Sequence, residues 1–356
     1  MMFVISILIV FGVVILIHEY GHFWVAKKLG VRVEKFSFGF GPKLISWKKN
    51  GTEYLISLVP FGGYVKMAGE DTVESKSPDE YIALPPGKRA LIVASGAIHN
   101  ILIAYVFLIP ALMLGISRYD GTVIGGVQEG FPAEMAGLKT GDKVVSVNGI
   151  FCNEWFDVVK NITEQANISP DTPIIIAVQR GSKTLKIPVV ARLMEKDRSM
   201  FKGKKRYIIG IVPKEVIVRY GFLDAVIEAG KEYIKMFNVI LVSFKLLFTG
   251  QVSFQELSGP VGISRMTIEI VKAGIASFLY FIAFININLG LVNLFPFLIL
   301  DGGHIIGLLG ERILGRKPSK KVLEIGQLAG IAFLIILVVL VTYNDIIRIL
   351  TEKISR

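Results

Sequence analysis

Cysteine is almost absent: Cys152 stands alone among 356 residues. A single thiol excludes an intrachain disulfide framework, and no CxxC pair is present to hold a metal or run redox chemistry. Histidine is scarce as well, with only His18, His22, His99 and His304 in the chain. Any metal site must therefore combine these four with carboxylates. Charged residues make up 19% of the chain, against about 25% in an ordinary soluble domain. Hydrophobic residues make up 52%, which excludes a disordered chain. Acids fall short of bases, 29 against 40, for a net charge of +11. In a soluble protein that excess would suggest nucleic acid. In so apolar a chain it reflects Lys and Arg flanking membrane spans, and no nucleic-acid partner is expected.

Residues 1–17 carry no charge, and the next charge after Glu19 is Lys27. A secretory leader opens on basic residues and closes on a small-residue cleavage site. Neither is visible, so the stretch predicts a retained span of about twenty residues. Further apolar runs lie at 90–117, 273–300 and 325–344, the second of these three broken by Asn286, Asn288, Gly290, Asn293 and Pro296. An α-helical polytopic membrane protein with four transmembrane helices is expected. Lys27, Lys28, Arg32, Lys35, Lys43, Lys48 and Lys49 follow the first span, and Arg312, Arg316, Lys317, Lys320 and Lys321 lie between the third and fourth. The positive-inside rule puts both connections in the cytoplasm and both termini outside. The long segment between the second and third spans is then extracytoplasmic.

Between the first two spans, β-prone and unusually apolar flanks surround Asn50-Gly51, a hairpin turn signal. They predict a membrane-associated β hairpin at about 36–67, tolerable in lipid only if its edges are paired or covered by protein. Residues 121–213 hold short Val/Ile-rich strands at 174–179 and 184–190, turns, scattered charge and a basic loop at 202–206, the pattern of a small globular module. Residues 220–249 place Asp224, Glu228, Lys231, Glu232, Lys235 and Lys245 at helical intervals in an apolar background. This predicts an amphipathic helix on the extracytoplasmic interface. The expected division is 1–117 for the first two spans with the hairpin, 118–213 for the module, 214–271 for the interfacial helix and connection, and 272–356 for the last two spans.

His18-Glu19-Tyr20-Gly21-His22 carries the sharpest chemistry. On a helix, residues four apart share a face, so both imidazoles reach one metal, with Glu19 on a neighbouring face placed to take a proton from water. Ionisable groups within a span are expensive and functional by default. A catalytic zinc wants a third protein ligand and one open position, and His99, His304, Glu311 and Asp301 are the candidates. His18 precedes Lys27 by nine residues, about 13 Å of helix, and Asp301 precedes Glu311 by ten, about 15 Å. This similar depth, and the broken backbone before Asp301, favour Asp301. His304 reads as an interfacial or supporting group. His99 lies in a small-residue stretch with Gly96 and Ala97 suited to close helix packing, where Asn100 can bond across helices.

The sequence resembles the site-2 protease family of intramembrane zinc metalloproteases, in the branch of the bacterial regulator-of-sigma-E protease, over nearly its whole length. His18-Glu19-Tyr20-Gly21-His22-Phe23 is similar to the family's HExxH span. Phe38-Gly39-Phe40-Gly41-Pro42 and Pro60-Phe61-Gly62-Gly63-Tyr64-Val65-Lys66-Met67 are similar to its membrane-associated β hairpin. Gly96 and Asn100 match its GxxxN pattern, residues 130–149 resemble a bacterial PDZ domain, and Gly259-Pro260-Val261-Gly262-Ile263 matches a pre-span motif. Asn293-Leu294-Phe295-Pro296-Phe297-Leu298-Ile299-Leu300-Asp301-Gly302 fits NxxPxxxLDG. Leu298 stands where many members have a second proline, and Ala97 where proline is frequent.

The resemblance implies one Zn2+ per chain held by His18, His22 and Asp301, with Glu19 as general base and acid. It implies substrate contacts at Asn293, Asn100, Gly62 and Gly63, and a single extracytoplasmic α+β PDZ-like domain that contacts peptides or filters bulky ectodomains. The implied substrates are single-span membrane proteins, anti-sigma-factor-like proteins or signal-peptide remnants, cleaved in the bilayer of the bacterial inner membrane near its cytoplasmic side. A transmembrane helix must unwind before it is cut, and the hairpin would either receive the unwound strand at its edge or simply pack against the catalytic helices. Two rival readings also fit the sequence: a proteolytically inactive scaffold that binds peptides through its PDZ domain, and a transporter. The second predicts inverted repeats, and none is visible.

Overall fold

The computed structural model describes residues 2–70, 72, 75–193, 207–252, 258–297, 299–315 and 320–354. Leu298, the basic loop at 202–206, Arg316 and Lys317 lie outside them. Two compact units emerge: Met1–Leu114 with Tyr220–Val242 and Leu257–Arg356, and Gly115–Arg219 with Ser243–Glu256.

The first unit opens with helix α1 (Met2–Lys28), an apolar helix without proline that ends on Lys27 and Lys28, cations suited to a helix C-terminus. Lys28 Nζ lies 3.9 Å over the Trp24 ring. Trp24 lies about half a turn and Lys28 under two turns beyond His22.

Strands β1 (Val33–Lys49) and β2 (Thr52–Met67) follow, joined at Asn50 (φ +49°) and Gly51 (φ +76°), the left-handed pair that a tight hairpin needs. The arrangement departs from the expected simple hairpin. Lys35, Phe36, Ser37 and Phe38 face Glu53, Tyr54, Leu55 and Ile56 on one side, and Lys66, Val65, Tyr64 and Gly63 on the other. The ribbon therefore bends back and becomes four segments wide. Gly39 (φ +89°) and Gly41 (φ +87°) supply the bend in β1, where the register repeatedly shifts. Val33 and Met67 anchor its base on Ala26, Val31 and Ile92.

Helix α2 (Pro86–Leu114) starts with proline in its first turn, where no backbone donor is lost to a partner. It packs antiparallel to α1. In the second unit, strand β3 (Ile116–Val127), helix α3 (Pro132–Met135), strands β4 (Lys143–Val147) and β5 (Ile150–Phe151), helix α4 (Trp155–Ile168), and strands β6 (Ile174–Arg180), β7 (Lys183–Val189), β8 (Arg192–Leu193), β9 (Tyr207–Ile208) and β10 (Ile211–Val218) follow. The main sheet runs β10-β3-β4-β6-β7, with β5 on β4 and a separate β8–β9 pair. Ile124, Val144, Val147, Val158, Ile176 and Val178 are fully buried in its core. A capping box of Glu154 and Asp157 starts α4. Burial alone would raise the Asp142 carboxyl, but hydrogen bonds from Arg180 and the Lys139 N–H hold it below the usual carboxylate range. Between α4 (Trp155, Val158, Ile162) and the stretch from Tyr207 to Ile211 lies an apolar cleft of about 310 Å³.

Helix α5 (Phe222–Phe248) is one long amphipathic helix. Its first half rests on membrane helices: Tyr105 Oη donates to the Val226 carbonyl, and Tyr280 Oη donates to Glu232. Helices α6 (Pro260–Lys272), α7 (Ile275–Asn293), α8 (Asp301–Leu314) and α9 (Lys320–Ile354) complete the chain. Among the described residues, three helical stretches are long and apolar enough to cross a membrane: Pro86–Leu114, Ile275–Asn293 and Leu328–Thr351. The chain is thus a polytopic membrane protein carrying a β-rich unit.

Asp345, buried in apolar α9, accepts the Gly262 N–H at 2.7 Å and so caps α6, whose own N-cap Gly259 offers no side chain. Asp345→Leu is expected to destabilise the fold by about 1–2 kcal/mol, while Asp345→Asn keeps most of it through its amide oxygen. Thermal unfolding in detergent checks this, and equal losses in the two variants would contradict the cap.

Candidate metal centre

The helical repeat stacks His18 and His22 on one face of α1, with Nε2 atoms 3.2 Å apart and rings nearly perpendicular at 87°. Asp301, the first residue of α8, brings Oδ2 to 3.2 Å from His18 Nε2 and 3.6 Å from His22 Nε2. Three donor atoms held by one tetrahedral zinc, each about 2.0–2.1 Å from it, lie about 3.3 Å from one another. The spacing fits. Asp301 Oδ2 is also buried without a hydrogen-bond partner, a deficit that a cation removes. Among the described residues this is the one cluster of His, Cys, Asp and Glu suited to a metal.

Backbone and glycine contacts around the cluster prepare it. His22 Nδ1–H donates to the Ile92 carbonyl at 2.8 Å, which leaves the Nε2 lone pair turned to the site. A side chain at Gly96 would collide with His22 Nε2 and with His18 Cε1. At Gly21 a Cβ would stand 2.5 Å from the Ser95 carbonyl oxygen and 2.9 Å from Gly96 Cα. Gly21 and Gly96 therefore let α1 and α2 approach closely enough to place the imidazoles.

Glu19 is half-buried beside the β ribbon. The Val65 backbone hydrogen-bonds it, and a Cβ at Gly63 would lie 3.3 Å from Glu19 Cγ. Gly62, by contrast, is packed against the Phe40 ring and serves the ribbon's own shape. Asn293, at the end of α7, points its amide nitrogen to within 3.4 Å of both ring nitrogens of His18. Asn100 is fully buried with neither amide atom partnered.

The other candidates for third ligand lie elsewhere. His99 Nδ1 donates to the Ser95 carbonyl, and its ring packs on Tyr20 and Trp24. His304 is exposed. Glu311 is paired with Arg89. Gly21, the Ile92 carbonyl and Arg89 were not singled out from the sequence. Gly21 carried a usable signal as a small residue inside the HExxH turn. A backbone carbonyl carries none, and Arg89 follows Lys88 directly before the apolar run 90–117, with nothing in the sequence to set it apart.

The sequence profile described as peptidase family M50 matches residues 6–337. The chain belongs to peptidase family M50. Relatives span it almost end to end. One is the regulator of sigma-W protease RasP of Bacillus subtilis, 30% identical over 97% of this chain and 98% of its own. Another is the zinc metalloprotease RasP of Shouchella clausii, 29% identical over 96% and 97%. A third, from Clostridium acetobutylicum and provisionally named a zinc metalloprotease, is 34% identical over 96% of both chains. The M50 assignment agrees with the site-2 protease resemblance carried by His18-Glu19-Tyr20-Gly21-His22 and by Asn293 to Gly302. A solved PDZ domain of a SdrC-like protein from Listeria monocytogenes covers 27% of this chain and 90% of its own at 21% identity. Its TM-score of 0.21 is too low to carry the fold of the second unit.

Proposed function

We propose that this M50 peptidase is a zinc-dependent endopeptidase that cuts transmembrane segments of single-span membrane proteins in regulated intramembrane proteolysis. The observation that carries the reading is the convergence of His18 Nε2, His22 Nε2 and the orphaned Asp301 Oδ2 at ligand-to-ligand spacing. When bound there, one zinc ion supplies Lewis-acid polarisation of the scissile carbonyl and makes water a competent nucleophile. Glu19 takes a proton from the attacking water and returns one to the leaving amine. The Asn293 amide, beside His18, donates to the substrate carbonyl as charge develops on its oxygen.

A substrate helix has every backbone group paired and must open before attack. The segment from Gly63 to Val65 runs past Glu19, so an unwound peptide added beside it would present its backbone to that carboxylate. Gly62 shapes this segment, and Asn100 offers an unpartnered buried amide on the same face of α2 as Gly96.

We read α1, α2, α7 and α9 as four spans in the bacterial cytoplasmic membrane. The termini and residues 118–213 are then extracytoplasmic, and the metal centre is near the cytoplasmic face, as the Trp24–Lys28 pair supports. Residues 118–213 form a PDZ-like module whose apolar cleft takes a peptide end or whose bulk screens ectodomains.

Reconstitution of the full chain with a tagged single-span protein in proteoliposomes tests the reading. Cleavage inside the apolar segment, lost on chelation and restored by one equivalent of zinc, is the expected result. A zinc-loaded chain that binds but never cuts a panel of such proteins would return the scaffold reading instead.

A further inference from the structure

The buried ion pair between Arg89 and Glu311 plays no part in the chemistry above. Arg89 Nη2 donates to Glu311 Oε1 at 2.5 Å, with side-chain exposures of only 5% and 12%. Arg89 Nε also donates to the Leu84 carbonyl at 3.0 Å. Two charges withdrawn from water at such cost gain little net stability from their mutual attraction, so their retention calls for another role.

Their place in the helices supplies one. Arg89, Ile92 and Gly96 fall at i, i+3 and i+7 of α2 and therefore share one face. Arg89 holds α8, the Ile92 carbonyl holds His22, and Gly96 makes room for both imidazoles. Helix α8 carries Asp301 at its start and Glu311 ten residues on, about 15 Å away along the axis. The start of α8 is entered from irregular backbone with no side-chain cap at Leu300, and Ile306, Leu309, Ile313 and Leu314 face outward. Helix α2 is its principal neighbour. A tilt of 5° about Glu311 would shift Asp301 by about 1.3 Å, enough to spoil a ligand set, since about 1 Å of misplacement already costs about 10²-fold in a reaction.

We propose that Arg89 and Glu311 are positioning residues for the metal centre: the pair clamps the far end of α8 to α2 so that Asp301 meets His18 and His22. This rests on Asp301 being the third ligand.

The test compares zinc affinity, by chelator competition on the full chain in detergent, with thermal stability of the metal-free protein. Glu311→Gln leaves the Arg89 charge buried and unpaired, which destabilises the fold by itself, so the decisive variant is Arg89→Met with Glu311→Leu, an apolar pair of similar bulk. It is expected to melt within a few degrees of the parent yet bind zinc about tenfold more weakly. A pair that served stability alone would move the melting temperature and leave zinc affinity within twofold, which overturns the proposal. Asp301→Asn, measured alongside, separates the two readings. Loss of zinc there with full retention in the double variant removes only the clamp. Full retention in Asp301→Asn removes the ligand and the clamp together.

Discussion

Replacing Glu19 with Gln is expected to lower cleavage of a membrane substrate by about 10³-fold while one zinc per chain stays bound. The substitution keeps the size and the hydrogen-bonding shape of the side chain, so the Val65 backbone and the close approach of Gly63 still hold it in place. What it removes is the capacity to take a proton from water and hand it to the leaving amine. None of the three converging donor atoms belongs to Glu19, so metal content, measured on the purified variant, should match the parent. Two results would redirect the mechanism. Cleavage within tenfold of the parent would assign proton transfer to another group, and loss of zinc would make Glu19 part of the metal's support.

The parts of this site readable in the sequence are those with a short-range cause. His18, Glu19 and His22 are fixed by the 3.6-residue repeat, and the Asn50-Gly51 turn by its two left-handed residues. Asp301 needed a depth comparison between two spans and the NxxPxxxLDG resemblance, because nothing local brings a residue 283 positions from His18 to its side. The fold-back of the β ribbon was hidden for a related reason. Lys35 to Phe38 choose two partners at once, and that choice depends on bends at Gly39 and Gly41 rather than on strand alternation. Glu311 stands in the sequence among the candidate third ligands, beside His99, His304 and Asp301. Only its meeting with Arg89, 222 residues away, showed that its charge is already satisfied. The capping role of Asp345, placed in an apolar helix, likewise shows only once Gly262 of α6 is beside it.

Gly21→Ala is expected to reduce zinc affinity at least tenfold and cleavage at least about 10²-fold, the largest effect foreseen for a single methyl group. The atoms in its way are backbone: Ser95 O at 2.5 Å and Gly96 Cα at 2.9 Å from the new Cβ, where ordinary contact needs about 3.5–4.0 Å. Neither can turn aside as a side-chain tip would, so α1 and α2 must separate by about 1 Å, at a cost of about 1–3 kcal/mol. That separation pulls His18 and His22 from Gly96 and strains the bond from His22 Nδ1 to Ile92, both of which set where the imidazole nitrogens sit. Gly307→Ala is the matched control. It makes the same chemical change in α8, where nothing lies within 4 Å, and alanine favours the helix by about 1 kcal/mol. It should leave zinc affinity and cleavage within twofold of the parent. If Gly21→Ala behaves like Gly307→Ala in both measurements, close approach of α1 and α2 is not what spaces the ligands. If it loses zinc in step with activity, the smallest residue of His18-Glu19-Tyr20-Gly21-His22 is as necessary to the centre as the histidines that flank it.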